Sequence, residues 1–411
     1  MKTGFSSVSA NERIQALDIL RGFALLGMLI VHFGDRAAPG AGLSGLILRG
    51  VELLVSERAY ATFALLFGAG FAVQLARARF RGVPFQRIWL RRQAVLAGFG
   101  AIAHGVFGYN VLLGYAVWGV PLLFLERFPT RVLLPMALVF AFNYPLYFIV
   151  RGAIEWATIG AAASDAAYAA WRDGLSAAWD QLSIARDQTS IVAAVPHRIR
   201  HMAWFYVQAW NFLPGQLEFF LYGLLAYRHG LLTDPRRHAR TILTWMGIGL
   251  AAWLTQWIPL PALPAGTPVR IVRGVEMWSR SYWLMFTWVG AALLIIGYKP
   301  SWRPLLTPFA ITGRAALSNY FAQIITIDLL LSRYAFGLGI FPASSVLPGA
   351  LIVYAALTLL TAAWFRRYQF GPLEWVWRSL TYGRRQPLRR DVFKHGDHEE
   401  HQEHKAQDQY L

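Results

Sequence analysis

Apolar residues fall along this chain in long runs that short polar clusters separate. A helix that crosses a bilayer needs about 20 mainly apolar residues, and ten runs approach that length. The runs cover residues 17–36, 59–76, 90–109, 111–126, 132–150, 203–227, 241–258, 282–298, 308–331 and 346–365. The pattern predicts an all-α, polytopic membrane protein with about ten transmembrane helices.

Three local patterns refine this prediction. The third and fourth runs are separated only by Gly108-Tyr109-Asn110, so we expect a helical hairpin there. Residues 166–186 carry apolar side chains at helical spacing, which predicts an amphipathic helix at the membrane interface. Pro372 suits the first turn of a further short helix after the last run.

Basic residues cluster in alternate connections, which predicts the orientation of the chain. The clusters lie at 77–92, 228–240, 299–303 and 366–367. Short cytoplasmic loops are rich in Lys and Arg, so we expect both termini in the cytoplasm. The connections expected to face outward are 37–58, 151–202, 259–281 and 332–345. We predict a single transmembrane domain over 1–388, with 151–202 as an outward amphipathic segment, and a disordered cytoplasmic tail over 389–411.

Composition supports a membrane protein and excludes several other classes. The 411 residues are 56% hydrophobic and carry a formal charge of +17. Because Lys and Arg separate apolar runs rather than line one soluble face, we expect no nucleic-acid partner. The absence of cysteine excludes disulfides, iron–sulfur clusters and thiol chemistry. Four tail histidines recur every third residue from His395 to His404 and are either a weak metal site or solvated side chains, so we expect no resident metal.

Some basic residues lie in connections predicted to face outward. Residues 196–201 are basic, as are Arg270, Arg273 and Arg280. Long loops cross the membrane regardless of their charge, which is one explanation. The alternative is a vestibule that attracts anions.

The first run carries three polar side chains that are costly within a bilayer. Asp18 and Arg21 are three residues apart and can pair on one helical face. They either form a structural salt bridge, or Arg21 binds a phosphate of a donor through its guanidinium fork. His32 lies eleven residues after Arg21, about 16 Å along the same face.

A second histidine, His104, lies at the predicted outer end of the third run, at the same depth as His32. Histidine titrates near neutral pH and is the commonest general base. The two histidines are therefore candidate catalytic residues, with burial between helices as the alternative. Neighbouring polar residues that could rim the same cavity are Glu57, Arg58, Asn110 and Tyr115.

Two more polar residues lie inside predicted spans. Glu218 is a carboxylate within the sixth run, and it suits either a binding site or a proton relay of a transporter. Asn319 is a further candidate, for which an interhelical hydrogen bond is the alternative. Phe67-Gly68-Ala69-Gly70 resembles a phosphate loop superficially, but without a preceding strand or a lysine it favours close helix packing.

Several motifs, in order along the chain, resemble the YeiB-like family of bacterial inner-membrane proteins, which contains a domain of unknown function, DUF418. The motifs are Leu17-Asp18-Ile19-Leu20-Arg21-Gly22, Leu65-Leu66-Phe67-Gly68-Ala69-Gly70-Phe71, Arg91-Arg92 to Gly105 with His104, Gly313-Arg314-Ala315-Ala316-Leu317-Ser318-Asn319-Tyr320, Gly371-Pro372-Leu373-Glu374-Trp375 and the stretch from Leu380 to Leu388. The resemblance spans residues 13 to about 390. It implies a multi-pass protein of the bacterial inner membrane.

The YeiB-like family in turn distantly resembles transmembrane acyltransferases, which move an acyl group from a cytosolic thioester to an acceptor on the far side. Arg21 and His32 reproduce the arginine, ten residues, histidine spacing of one such group, whereas YeiB-like proteins usually have asparagine at His32. Asn110 stands where the family commonly has aspartate, which weakens any scheme in which a carboxylate orients His104.

These features lead to two main hypotheses. In the first, the protein is a membrane acyltransferase that uses an acyl-CoA-like thioester as co-substrate and a lipid, sugar or other small-molecule acceptor, with no bound cofactor. In the second, it is a transporter of a small anionic or lipid-like solute, with Glu218 and the arginines as its sites. A lipid-binding protein without turnover is a third alternative. Membrane lipid is an expected partner, and a second copy of the chain is a candidate one.

Overall fold

The structure, a computed structural model, describes residues 14–38, 40–109, 111–208, 215–259, 263–277 and 282–389. Asn110, Arg280 and the histidine-rich tail lie outside the described residues. The first nine helices are α1 Gln15–Gly34, α2 Leu43–Leu54, α3 Ser56–Phe80, α4 Phe85–Phe107, α5 Val111–Trp118, α6 Leu122–Leu125, α7 Thr130–Ala141, α8 Asn143–Ile159 and α9 Ala161–Arg186. The others are α10 Ile191–Gln208, α11 Gly215–Arg228, α12 Ala239–Leu254, α13 Val269–Glu276, α14 Leu284–Tyr298, α15 Arg303–Arg314, α16 Ala316–Leu331, α17 Val346–Phe365 and α18 Pro372–Tyr382.

The described residues are mainly helical, with two isolated β-bridges and no sheet among them, so the all-α prediction is confirmed. Within this part of the chain, three helices are long and apolar enough to cross a membrane: Gln15–Gly34, Leu43–Phe80 and Ala343–Phe365. A fourth is added if α7 and α8, which are bent by 59°, form one span. The ten-span count and the cytoplasmic termini stay predictions.

Most other predicted runs form helices that are short or interrupted. The run 308–331 is divided at Ala315 into α15 and α16, and the run 111–126 is divided into α5 and α6. The hairpin between α4 and α5 is confirmed: Gly108 has a φ of +83° at the turn, and a Cβ on Gly100 would lie 2.4 Å from the Leu113 nitrogen. Helices also form at the two amphipathic segments, as α9 and as α18, where Pro372 lies in the first turn.

Glycines let the central helices approach backbone to backbone. A Cβ on Gly22 would lie 2.0 Å from the Phe309 carbonyl oxygen, and one on Gly313 would lie 1.9 Å from that of Asp18, so α1 and α15 touch at these residues. A Cβ on Gly68 would lie 2.0 Å from the Phe220 carbonyl oxygen, where α3 crosses α11. Close approach through small residues is the usual way that apolar helices pack within a membrane. The packing interpretation of the Phe67–Gly70 motif is therefore confirmed at Gly68.

Connections that the sequence places on one side of the membrane contact each other. On the side predicted to face outward, Ala37 forms a bridge with Phe341. On the side predicted to face the cytoplasm, the Arg79 guanidinium donates to the Glu126 carboxylate at 2.8 Å. The helices thus have two ends, which we call the inner and outer ends after these predictions.

Candidate functional site

A cavity of about 220 Å³ lies between α1, α3, α4, α16 and α18. Its charged lining consists of Arg21, Arg77, Arg92, Arg314, Arg378, Asp18 and Glu374. Its aromatic lining consists of Phe63, Phe67, Trp89, Tyr115, Tyr320, Trp377 and Tyr382. Five guanidinium groups against two carboxylates leave three positive charges in excess, so this arginine cavity suits an anion that carries an apolar part.

Arg21 and Asp18 form the predicted pair on α1. The Arg21 Nη1 donates to the Asp18 Oδ1 at 3.0 Å, and both side chains line the cavity. A Cβ on Gly70 would lie 3.3 Å from the Arg21 Nη2, so the absence of a side chain there leaves room for the guanidinium. The structural and phosphate-binding roles of Arg21 are compatible, because one carboxylate engages only part of its donor fork.

Arg92 is held at the cavity by the amphipathic helix α18. Its guanidinium lies 3.5 Å from the ring centroid of Trp377, and the Trp377 indole N–H donates to the Arg92 carbonyl oxygen at 3.0 Å. The buried Arg92 Nε has no hydrogen-bond partner in the described part of the chain. A buried, unsatisfied charged donor is costly, so an anion in the cavity would stabilise it.

Glu374 joins the same helix to the start of α16. Its Oε1 accepts from the backbone N–H groups of Leu317, at 2.6 Å, and Ser318, at 3.1 Å, while its Oε2 accepts from the Ser318 hydroxyl at 2.5 Å. These backbone donors belong to the first turn of a helix and have no partner within the helix. A Cβ on Gly371 would lie 2.1 Å from the Glu374 Oε2, so a side chain at position 371 would displace the Glu374 carboxylate.

Two buried tyrosines belong to the aromatic lining of the cavity. Tyr115 and Tyr320 are each 1% exposed. The Tyr115 hydroxyl donates to the Tyr60 carbonyl oxygen at 3.3 Å, whereas the Tyr320 hydroxyl has no hydrogen-bond partner among the described residues. A ligand beside these residues would meet aromatic rings and the Tyr320 hydroxyl.

The two candidate histidines lie in different surroundings, and neither lines the arginine cavity. The ring of His32 packs on Tyr109, with centroids 4.7 Å apart. His104 is fully buried, and its Nε2 lies 2.8 Å from the Nδ1 of His201. In each candidate the Nδ1 atom is buried and has no hydrogen-bond partner in the described part of the chain.

His201 on α10 is a neighbour of His104 that the sequence did not single out. It is 1% exposed, and its ring lies 4.9 Å from that of Trp179. Burial lowers the pKa of His201 to about 4, so the imidazole is neutral near pH 7. A neutral imidazole can orient the His104 ring, which is the role that a carboxylate would otherwise have.

A small outer pocket lies beside Tyr109, the ring on which His32 packs. Its volume is about 20 Å³, enough for one water molecule, and its lining includes Arg36, Arg186 and Arg198. The Arg198 guanidinium is paired with Asp328 at 2.5 Å. Burial and then the charge of Arg36 lower the pKa of Arg186 to about 10. Asp328 lines the pocket as well, and its carboxylate offsets the charge of Arg198. Of the basic residues expected to face outward, Arg270 pairs with Glu155 and Arg273 with Glu276, so the anion-attracting vestibule stays a prediction.

The remaining predicted residues lie apart from the arginine cavity. Arg58 is 1% exposed and donates to the Glu52 carbonyl oxygen at 2.8 Å. Glu57, its neighbour in the first turn of α3, lies near Tyr282. Glu218 is 2% exposed, and its Oε1 has no hydrogen-bond partner among the described residues.

Asn319 serves as a link between helices. Its Nδ2 donates to the Thr312 carbonyl oxygen at 2.9 Å, and its Oδ1 accepts from the Thr361 hydroxyl at 3.0 Å. The interhelical alternative for Asn319 is therefore confirmed, and it joins α15, α16 and α17. Among the described residues no group of three His, Asp or Glu side chains has a metal-binding arrangement.

Sequence reasoning selected Asp18, Arg21 and Tyr115 but missed five charged residues of the cavity, which are Arg77, Arg92, Arg314, Arg378 and Glu374. Arg92, Arg314 and Glu374 belong to motifs that carried the family resemblance, so their charge within those motifs was an available signal. Arg77 and Arg378 lie outside the motifs.

Comparisons with known proteins agree with these motifs. Residues 226–384 match the family "Protein of unknown function (DUF418)". The relatives include the uncharacterized protein YxaH of Bacillus subtilis, 27% identical over 92% of this chain and 96% of the relative. They also include an uncharacterized 39.9 kDa protein encoded in the amylase 3′ region of Bacillus acidopullulyticus, 26% identical over 93% and 97%, and the uncharacterized protein YeiB of Escherichia coli, 26% identical over 90% and 96%. No solved structure matches significantly. The family match and the matches over nearly the whole chain confirm the resemblance to the YeiB-like proteins, with the DUF418 region at residues 226–384.

Proposed function

We propose that the protein is a bacterial inner-membrane acyltransferase whose thioester donor binds in the arginine cavity. The observation that carries the proposal is the lining of that cavity, in which five arginines lie beside seven aromatic side chains. A donor with phosphate groups and an apolar acyl arm has the matching chemistry, because guanidinium forks bind phosphate and aromatic walls bind the arm. Arg21 and Arg92 are the candidate phosphate contacts.

The acceptor would be activated at the outer end by His32 or His104. Each histidine has a buried Nδ1 without a hydrogen-bond partner in the described chain, and His32 packs on Tyr109, which lines the outer pocket. The imidazole takes the proton of an acceptor hydroxyl or amine as its oxygen or nitrogen attacks the thioester carbonyl. The carbon–sulfur bond then breaks, the thiolate receives a proton, and the acyl group remains on the acceptor.

The test uses the purified full chain in proteoliposomes with an acyl-coenzyme A series, and it measures thiol release and acylated acceptor. Removing a general base costs about 10²–10⁴-fold in rate, so we expect such a loss in H32A or in H104A. We expect R21A and R92A to raise the KM for the donor, because they remove phosphate contacts. His197→Ala and the exposed Arg367→Ala are matched controls. Undiminished turnover in both H32A and H104A would end the acyl-transfer proposal.

Transport is the second candidate, and the buried Glu218 is the observation that favours it. A carboxylate within a membrane helix is a typical proton or substrate site, and Glu218 lies beside Tyr222 and Tyr282. Uptake into proteoliposomes that requires a proton gradient and is abolished by E218Q, without thiol release from any acyl-coenzyme A, would replace acyl transfer with transport.

A further inference from the structure

A second cavity, of about 300 Å³, lies away from the arginine cavity, between α7, α11, α12 and α14. Its wall is mainly apolar and includes Leu134, Ala226 and Phe286. The Phe286 ring packs against those of Tyr222 and Trp245, with centroids 5.0 and 5.3 Å apart. Its lining contains no acidic side chain among the residues that the structure describes. It therefore suits a hydrocarbon chain.

One edge of this cavity is polar and lies at the inner end. The edge contains His229, His238 and two threonines, Thr130 and Thr241. The His229 Nε2 lies 3.0 Å from the Thr130 hydroxyl, which ties the end of α11 to the start of α7. The polar residues thus belong to the loop 228–240 and to the ends of the helices beside it.

The same loop carries exposed positive charge. Arg237 precedes the lining residue His238, and Arg240 precedes Thr241; both arginines are exposed. Asp234 is the acidic residue of this loop, and its Oδ1 accepts from the Arg237 backbone N–H at 3.2 Å. An apolar chamber with a basic rim at the membrane surface is complementary to an anionic lipid, whose chains are apolar and whose head group is a phosphate.

We infer that this cavity binds one acyl chain of an anionic phospholipid, with the lipid phosphate at the rim formed by His229, His238, Arg237 and Arg240. The attraction between an anionic membrane surface and one arginine is worth about 1 kcal/mol. Each rim arginine should therefore raise the affinity for an anionic lipid about fivefold. This site is independent of the donor site proposed above, since the two cavities share no lining residue.

The experiment uses the full chain in nanodiscs that contain a trace of phosphatidylglycerol with a photoreactive diazirine in its acyl chain. After illumination, labelled peptides are mapped by mass spectrometry. Helix α17 exposes Leu351, Ile352 and Leu359 and reports contact with bulk lipid. We expect labelling of the cavity wall, 222–245, to exceed that of α17, and to exceed the labelling given by a phosphatidylcholine probe.

Two variants fill the cavity from different helices: Ala226→Phe on α11 and Leu134→Phe on α7. Each should reduce labelling of the wall to the level of α17, while Ala251→Phe, at an exposed position of α12, should not. Arg237→Glu with Arg240→Glu should remove the preference for phosphatidylglycerol. Labelling of the wall no stronger than that of α17, or equal labelling by both lipids, would overturn the inference; so would full labelling in a correctly folded A226F or L134F protein.

Discussion

The contact of Glu374 with the first turn of α16 supports the most direct test of the fold. Glu374→Ala removes the acceptor of two backbone N–H groups, those of Leu317 and Ser318, and of the Ser318 hydroxyl. Leaving a buried donor unsatisfied costs about 1–3 kcal/mol for each group. The adjoining cavity admits water to some of them, so we expect a loss of about 2–4 kcal/mol in the free energy of unfolding.

Glu374→Gln removes the negative charge but keeps an oxygen that accepts hydrogen bonds, so it tests the two contributions separately. The glutamine oxygen can still accept from the two backbone N–H groups, so we expect a loss of about 1 kcal/mol, from the weaker neutral acceptor. Unfolding by SDS in mixed micelles, followed by tryptophan fluorescence, measures both variants. Glu276→Ala is the matched control, because that carboxylate is 46% exposed and pairs with Arg273 on its own helix. If E374A lost no more stability than E276A, the capping role of Glu374 would be refuted.

Two further predictions concern the helix crossing and the buried histidine pair. Gly313→Ala forces α1 and α15 apart, because its Cβ would lie 1.9 Å from the Asp18 carbonyl oxygen. We expect a loss of about 3 kcal/mol in the free energy of unfolding, measured in SDS. Gly247→Ala is the control: its Cβ would enter open space, so it should leave the stability unchanged or raise it. Burial lowers the pKa of His201 from 6.5 to about 4. As the pH falls, the unfolded chain is therefore protonated at this histidine before the folded chain is. The free energy of unfolding should fall between about pH 6.5 and about pH 4, by at most about 3 kcal/mol. His201→Leu should reduce the slope of that part of the pH profile of unfolding, and an unchanged slope would contradict this account.

The parts of the fold that local patterns determine could be predicted from the sequence. Helices form at the apolar runs, the α4–α5 hairpin turns at Gly108, and Asp18 pairs with Arg21 three residues away. All of these depend on residues close together in the chain. Helix breaks such as that at Ala315 were missed, since Ala315 is neither proline nor glycine and nothing in the local sequence marks it as a break.

The arginine cavity could not be predicted, because it depends on contacts between distant residues. Arg92 and Trp377 are 285 positions apart, yet their side chains stack. Hydrophobic periodicity reports which face of a helix is buried, but not which other helix covers it. The sequence therefore indicated individual charged residues without showing that they share one cavity.

The residues that set helix spacing adjoin those that supply the charges of the cavity. Gly22 and Gly313 allow α1 and α15 to touch, and each is next in the chain to a cavity arginine, Arg21 and Arg314. The glycines fix the distance between the two helix backbones. They therefore also fix the backbone positions from which the neighbouring arginine side chains extend. The DUF418 match contains Arg314 and Glu374, whereas Arg21 and Arg92 precede it. The cavity is therefore complete only when α1 and α4 pack on the matched region, and an isolated 226–384 fragment would lack both proposed phosphate contacts, Arg21 and Arg92.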